Sequence, residues 1–313
     1  IPHREGRWLG NARRLDEVLG RYLVHVKSHF EREFDLSGMR VILDCANGAG
    51  YKVAPMIFEE LGAEVFCNGV QPTGQNINLD CGSMFPHFIS EEVVKYKADI
   101  GIALDGDADR VVLVNEKGGV VNGDRLIGLF AKVMLDRGEI SKGDEIVGTV
   151  MSNLGLENFI KSLGLKFYRS KVGDRYISRR MQESGSKLGG EPSGHIIFGQ
   201  YHGATGDGVL AALKAIECMK YYDKPIKHLV KTIKIYPQII NNINVKTKTP
   251  LEQNGNIQSA IKDAENTLGE KGRVLLRYSG TESLLRVMVE GEDNNAVQEV
   301  CDTLSEVVRT ELN

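Results

Sequence analysis

The stretch DGDADR, residues 105 to 110, sets three carboxylates at alternate positions between two apolar runs, residues 98–104 (ADIGIAL) and 111–114 (VVLV). The flanking runs have strand length, so the six residues read as a loop at the end of a strand, where open α/β sheets place their ligand chemistry. Asp105, Asp107 and Asp109 can converge on one small hard cation such as Mg²⁺ if the loop curls, which Gly106 and Ala108 permit. Three side chains leave an octahedral shell incomplete. A phosphate or water oxygen would finish it, which favours phosphoryl transfer over a closed structural site. An EF-hand is excluded, although Glu116 falls on its twelfth position, because Arg110 stands where the sharp turn demands Gly and strand residues follow. A solvated acidic hairpin turn remains open from these six residues alone.

Outward from this loop the pattern is α/β. Apolar residues from Leu15 to Phe30 keep helical spacing. A βαβ unit follows, with a strand at 41–43, a turn at 44–50, a helix at 52–61 and a strand at 63–66, before a helix at 90–97 feeds the strand of the carboxylate loop. The unit ends at Asn122-Gly123-Asp124, and the pattern restarts. Its second instance has a helix at 125–137, a strand at 145–150, a helix at 154–163, a strand at 166–170, a helix at 174–184, a strand at 188–198 broken by a loop, and a strongly apolar helix at 207–222. After Tyr236-Pro237 the character changes to a strand at 239–246, a helix at 257–268, strands at 273–277 and 284–289, and a final helix from 294. The expected fold class is α/β, two similar domains with mixed sheets plus a smaller C-terminal α+β domain. The divisions are a linker remnant at 1–10, then domains 11–123, 124–237 and 238–313.

Bulk properties narrow the class. Length alone, 313 residues with 42% hydrophobic content, suggests about two domains with sizeable cores. A net charge of −3 gives no basic surplus for nucleic acid. No run approaches a membrane span and no secretory segment opens the chain, so no membrane partner and a cytoplasmic home are expected. Cys45, Cys67, Cys81, Cys218 and Cys301 are scattered and odd in number, which indicates neither zinc nor disulfides and predicts small, mostly buried apolar residues. The chain opens on Ile1-Pro2-His3 without an initiator Met, which predicts a processed or truncated piece.

Three further loops carry chemistry. RYSGTES, residues 277–283, offers the Ser279 and Thr281 hydroxyls, N–H groups around Gly280, and Arg277 with Arg286 nearby, a set that suits a phosphate dianion. A solvated hairpin turn is an equal reading. GEPSGH, residues 190–195, suits a sugar: Glu191 accepts from vicinal hydroxyls, Ser193 donates or accepts, and His195 can shuttle a proton. A simply hydrogen-bonded His is the more ordinary reading. Lys171, Asp174 and Arg175 in KVGDR precede a helix whose N-terminus adds anion affinity, or form a solvated helix start. Thr205-Gly206-Asp207 reads as an N-cap for the helix that follows.

Taken together, the four loops resemble those of the α-D-phosphohexomutase superfamily through nearly the whole chain. DGDADR resembles its metal loop, GEPSGH its sugar-recognition loop and RYSGTESLLRVMVEG its phosphate-binding loop. MSNLGLE (151–157), KVGDRY (171–176) and TGDG (205–208) resemble the glucosamine branch more than the mannose and glucose branches. The resemblance implies an enzyme interconverting glucosamine 6-phosphate and glucosamine 1-phosphate through a phosphoserine and a 1,6-bisphosphate, with a phosphomannomutase or phosphoglucomutase, or a non-catalytic phosphosugar-binding protein, as alternatives. It further implies Mg²⁺ on Asp105, Asp107 and Asp109, and Arg110 neutralising the transferring group. By the same resemblance, Glu191 and Ser193 hold sugar hydroxyls, Asp174 and Arg175 lie at the substrate, and Arg277, Ser279, Gly280, Thr281 and Arg286 hold the distal phosphate. Lys171 and His195 are the acid/base candidates.

In that family the C-terminal domain resembles the TATA-box-binding-protein fold, and a homodimer is compatible with the sequence. The family's Ser-His-Asn-Pro serine loop is not found; Ser28-His29 is followed by Phe30 on the opening helix. The chain therefore reads as the family's second to fourth domains, inactive alone. One departure is Ser283, where the phosphate loop usually has Pro.

Overall fold

A computed structural model describes residues 15, 17–199, 205–246, 248–279 and 282–312. The first unit opens with α1 (Val18–Ser28), then β1 (Arg40–Asp44), α2 (Val53–Glu60), β2 (Glu64–Asn68), α3 (His87–Tyr96), β3 (Ile100–Leu104), β4 (Val111–Asn115) and β5 (Val120–Val121). The second contains α4 (Gly123–Asp136), β6 (Glu145–Thr149), α5 (Leu154–Ser162), β7 (Lys166–Ser170), α6 (Asp174–Ser184), β8 (Leu188–Gly190), β9 (Ile196–Phe198), α7 (Gly208–Tyr222) and α8 (Ile226–Leu229). The third contains β10 (Gln238–Asn244), α9 (Gly255–Leu268), β11 (Gly272–Tyr278), β12 (Leu284–Gly291) and α10 (Asn294–Leu312). Two mixed α/β sheets and a smaller sheet-plus-helix unit are thus the architecture.

The two α/β units share a four-strand topology, to which the first adds β5 at its edge. Their sheets run β2-β1-β3-β4-β5 and β7-β6-β8-β9. In each, the first strand pairs in parallel with both of its neighbours, and the last step is an antiparallel hairpin, β3–β4 or β8–β9. The carboxylate loop and the sugar loop are the turns of these equivalent hairpins. The phosphate loop is the turn of a third, β11–β12, which is antiparallel and flanked by β10.

Strands β3 and β4 are buried along their whole length, which explains their continuous apolar runs. Helix α7 is buried from Gly208 to Met219. It tolerates Lys214 and Glu217 in its interior because Lys214 Nζ lies 3.0 Å from Glu217 Oε2 and Arg137 Nη1 donates to Glu217 Oε1 at 2.7 Å. One apolar core runs through both α/β units, from Leu23 on α1 to Ile233, whereas the C-terminal unit has its own, from Ile243 to Leu312.

Several expectations are corrected. The opening helix is shorter than 15–30: Leu15 is exposed outside it, and Phe30 packs into the core beyond its end. The helix expected at 90–97 begins at His87, behind Pro86, whose fixed φ suits a helix start. The strand expected at 188–198 is two strands folded back on each other, because Gly194 with φ +92° reverses the chain. Strand β5 and helix α8 were too short to carry a periodic signal. Cys45, Cys218 and Cys301 are buried, but Cys67 is exposed and Cys81 half-buried, against the expectation of burial. No helix among the described residues is long and apolar enough to cross a membrane. The expected linker at 1–10 lies outside the described residues.

Candidate functional site

The carboxylate loop curls as its small residues allow. Ala108 takes φ +61°, and the Gly106 carbonyl accepts from Ala49 N at 2.8 Å, with Gly48 so close that a Cβ there would sit 2.1 Å from the same oxygen. Asp105, Asp107 and Asp109 each offer an oxygen, all within 4.8 Å of one another. Asp105 is buried, receives Arg110 Nε at 2.7 Å and Arg110 N at 3.1 Å, and its carboxyl is pushed above the usual range, by burial first and by Asp109 and Asp107 in addition, with Arg110 opposing. Asp109 Oδ1 is buried without a hydrogen-bond partner among the described residues, its ion-pair contact being Arg110 Nε at 3.4 Å. Three crowded carboxylates that share one arginine fit a hard dication, which would relieve their repulsion.

The sugar loop is stitched to this one by backbone. Arg110 and His195 form an antiparallel bridge and Val111 N donates to Gly194 O at 3.1 Å, while Gly123 N at the start of α4 donates to Pro192 O at 3.1 Å and Gly208 N at the start of α7 to Ala108 O at 2.9 Å. A Cβ on Gly194 would lie 1.9 Å from Val111 O, so the contact requires glycine. Glu191 is half-buried, and its Oε1 accepts from Gly173 N at 3.0 Å, which brings the 171–175 loop beside it. Ser193 is exposed, with Oγ 3.5 Å from Glu191 Oε2. Lys171, Asp174 and Arg175 are exposed, Lys171 Nζ lying 5.9 Å from the Tyr176 ring and Arg175 stacking on it at 4.6 Å. His195 is buried at 5% exposure, with Nδ1 3.0 Å from Asp109 Oδ2.

On the third hairpin Arg277 and Arg286 stand directly opposite each other. Like charges in that register repel, and burial together with Arg286 holds the Arg277 guanidinium below its usual pKa. Arg286 Nε is buried without a hydrogen-bond partner among the described residues, and its Nη2 lies 3.8 Å from Glu282 Oε2. An anion would settle this pair. Ser279 is buried, accepts from Glu282 N at 3.3 Å through Oγ, and its carbonyl accepts from Lys248 Nζ at 2.6 Å. Gly280 and Thr281 lie outside the described residues.

The structure thus gathers Asp105, Asp107, Asp109, Arg110 and His195 with Glu191 and Ser193, and pairs Arg277, Arg286 and Ser279 separately on the C-terminal unit. Three participants carried no sequence signal. Tyr22 on α1 donates from its hydroxyl to Asp207 at 3.0 Å, and Asp207 caps α7 by accepting Leu210 N at 2.9 Å, as its spacing predicts. Lys248 is brought to Ser279 only by folding. Glu290 is fully buried, accepting from Leu154 N at 2.9 Å, Asn153 Nδ2 at 3.2 Å, Gln238 Nε2 at 2.9 Å and Arg273 Nε. Arg273 Nη2 in turn donates to Ser152 O at 2.9 Å.

Family models described as phosphoglucomutase/phosphomannomutase match in three blocks: alpha/beta/alpha domain II at residues 20–119, alpha/beta/alpha domain III at 122–236 and the C-terminal domain at 242–307. The chain is 47% identical over 304 residues to the phosphoglucosamine mutase of Nitratidesulfovibrio vulgaris and 48% identical over 304 residues to that of Pelobacter propionicus, covering in each case 97% of this chain and 67% of the relative. Among solved structures it is similar to a phosphoglucomutase/phosphomannomutase family protein from Burkholderia thailandensis, with TM-score 0.78 and 21% identity over 95% of this chain and 66% of that one. It is also similar to the N-acetylphosphoglucosamine mutase of Aspergillus fumigatus in complex with GlcNAc-6P and magnesium, with TM-score 0.73 and 20% identity over 95% of this chain and 65% of that one. The chain therefore spans about two thirds of the length of these relatives.

Proposed function

The chain belongs to the phosphoglucomutase/phosphomannomutase family, and we propose that it carries the metal, sugar and phosphate loops of a phosphohexomutase interconverting glucosamine 6-phosphate and glucosamine 1-phosphate in the cytoplasm. The observation that carries this reading is the bridge between Arg110 and His195, which locks a three-carboxylate loop to a polar sugar loop at the equivalent turns of two like sheets. Close relatives named as phosphoglucosamine mutases favour the amino sugar over mannose or glucose.

Asp105, Asp107 and Asp109 are the residues to hold Mg²⁺, which when bound would offset negative charge developing on the transferring phosphoryl group. Arg110, anchored through Nε to Asp105, keeps its remaining guanidinium donors for that group's oxygens. Glu191 accepts from sugar hydroxyls through the oxygen that Gly173 does not hold. Arg277, Arg286 and Ser279 grip the phosphate that is not reacting. Lys171, exposed two residues before Gly173, and His195 are the acid/base candidates for moving a proton at a sugar oxygen. This division lets a bisphosphate turn over and present either end to the same metal loop.

The serine that carries the phosphoryl group is expected from a Ser-His-Asn-Pro loop, a sequence that does not occur in residues 1–313. These residues are accordingly expected to bind a hexosamine phosphate without isomerising it. Calorimetric titration of residues 1–313 tests the assignment. Glucosamine 6-phosphate should bind, free glucosamine should not, and mannose 6-phosphate should bind more weakly. Equal binding of glucosamine and its 6-phosphate would contradict the phosphate grip, and turnover by residues 1–313 would contradict the need for the serine.

A further inference from the structure

The segment that follows β10 brings a cation to the turn of the third hairpin. Asn242 stands opposite Arg286 in the register of β10 and β12, and the pairing runs on past the end of β10, with Val245 N donating to Ser283 O at 3.0 Å. Three residues further on, Lys248 Nζ lies 2.6 Å from the Ser279 carbonyl oxygen. The backbone beside it is held as well. Tyr278 donates from its hydroxyl to Thr249 O at 2.7 Å, and Pro250 restricts the residue before it to extended conformations. The place of Lys248 is therefore set by the strands on either side of it, not by its own flexible stem.

An ammonium carries three N–H bonds, and the contact to Ser279 uses one of them. Ser279 is 5% exposed and closes the turn, its N donating to Leu284 O at 2.8 Å. The pleat puts it on the face that carries Arg277, two positions before it, and Arg286 stands opposite Arg277. The acidic group shown beside this set is Glu282, with Oε2 3.8 Å from Arg286 Nη2 and 3.4 Å from Ser279 Oγ. One exposed carboxylate against three cations leaves the turn with positive charge to offer.

We propose that Lys248 is a third cation of the phosphate grip: seated on the Ser279 carbonyl, it gives its remaining donors to the phosphate held by Arg277, Arg286 and Ser279. The inference rests on the phosphate-grip reading above and adds to it a residue from outside the hairpin. A lysine acts on phosphate as a point charge, so Lys248 raises affinity for the dianion while the paired arginines fix its orientation.

The test is calorimetric titration of residues 1–313 with glucosamine 6-phosphate at about pH 8, where a phosphate monoester, with its second pKa near 6, is a dianion. Lys248→Arg keeps the charge, whereas Lys248→Gln keeps an amide donor on a stem one atom shorter and loses the charge. Lys248→Gln should bind about five- to tenfold more weakly than the parent, and Lys248→Arg within about threefold of it. Parent-like affinity in Lys248→Gln overturns the proposal, as does a loss in Lys248→Arg equal to that in Lys248→Gln. The deficit of Lys248→Gln should also shrink at about 1 M salt, where charges are screened within about 3 Å. A deficit that salt leaves unchanged would mark a structural effect and overturn the proposal. Mn²⁺, a paramagnetic stand-in for Mg²⁺ read by electron paramagnetic resonance, should bind Lys248→Gln as it binds the parent; a loss there would place the effect beyond the phosphate and overturn the proposal too. Arg277→Gln is the control for the underlying reading. If it binds the sugar phosphate like the parent, the third hairpin is not the phosphate grip; if it loses binding while Lys248→Gln does not, only the role of Lys248 falls.

Discussion

The seam between the two α/β units and the joint between the second unit and the C-terminal unit are built on opposite principles. At the seam a single apolar core passes through both units, and backbone contacts join the metal-loop hairpin to the sugar loop at Arg110, Val111, Gly194 and His195. At the joint the cores are separate, and the grip is polar: Glu290 and Arg273 reach across to Ser152, Asn153 and Leu154, and Asn153 also accepts from Tyr236 N at 2.9 Å and Asn153 N donates to buried Asp124 at 2.9 Å. A continuous core transmits strain and resists relative motion, whereas a polar interface between units leaves motion as the default. The metal and sugar loops therefore act as one rigid part, and the arginine pair that grips phosphate is carried on a part that can adjust.

The comparison breaks most easily at Glu290. Glu290→Ala strands Arg273, whose burial already lowers its pKa, and leaves Leu154 N without its acceptor. Removing one partner of such a buried pair costs about 3–5 kcal/mol. Calorimetry should show the C-terminal unit melting earlier and apart from the rest, with Mn²⁺ affinity unchanged. A single shifted transition for the whole chain would mean that the joint is not separable.

Asp124 gives the joint a pH signature. Burial first, and the Glu290 carboxylate in addition, raise its carboxyl from 3.8 to about 7, with Asn153 N opposing. The folded joint therefore keeps a proton that the unfolded chain releases. The resulting stability is fully present below about pH 4 and is lost as pH rises through about 7. Asp124→Asn removes this dependence, so the difference in stability between variant and parent should change by about 3 kcal/mol from acid to neutral pH, in favour of the variant at neutral pH. A constant difference across that range would contradict a raised Asp124.

At the seam the expected effect is smaller and differently distributed. Gly194→Ala forces a side chain onto φ +92° and against Val111 O. A strained backbone position costs about 2 kcal/mol, and Mn²⁺ affinity should fall with it because the metal loop shares the contact. Lost stability with intact Mn²⁺ affinity would show that the two loops are not coupled.

How legible each region was in the sequence follows from the same contrast. The seam's loops were readable because each is a polar interruption of an apolar strand run, as at Asp105–Arg110 between β3 and β4, and strand periodicity survives in one dimension. That β8 and β9 fold back as a hairpin was not readable, because an apolar run on both sides of GEPSGH looks the same whether or not Gly194 reverses the chain. The joint was invisible. Glu290 and Asn153 stand 137 positions apart, and a carboxylate near the end of an apolar strand gives no sign that it will be buried. The chemistry of His195 as an acid/base candidate is legible in the sequence, but its burial against Asp109 under Gly206 is a contact only folding creates.

The most direct test of the account separates the two kinds of grip in one experiment, using residues 1–313, Mn²⁺ and glucosamine 6-phosphate. Arg277→Lys keeps the charge but loses the planar fork, and losing a charge-assisted hydrogen bond costs about 1.5 kcal/mol or more. Calorimetric titration should show Arg277→Lys binding the sugar phosphate about tenfold more weakly with Mn²⁺ affinity intact, an energy of about 1.4 kcal/mol, while Asp107→Asn loses Mn²⁺ affinity. If Arg277→Lys lowers Mn²⁺ affinity and leaves sugar-phosphate affinity unchanged, the third hairpin is not the phosphate grip and the division of labour between rigid seam and adjustable joint is wrong.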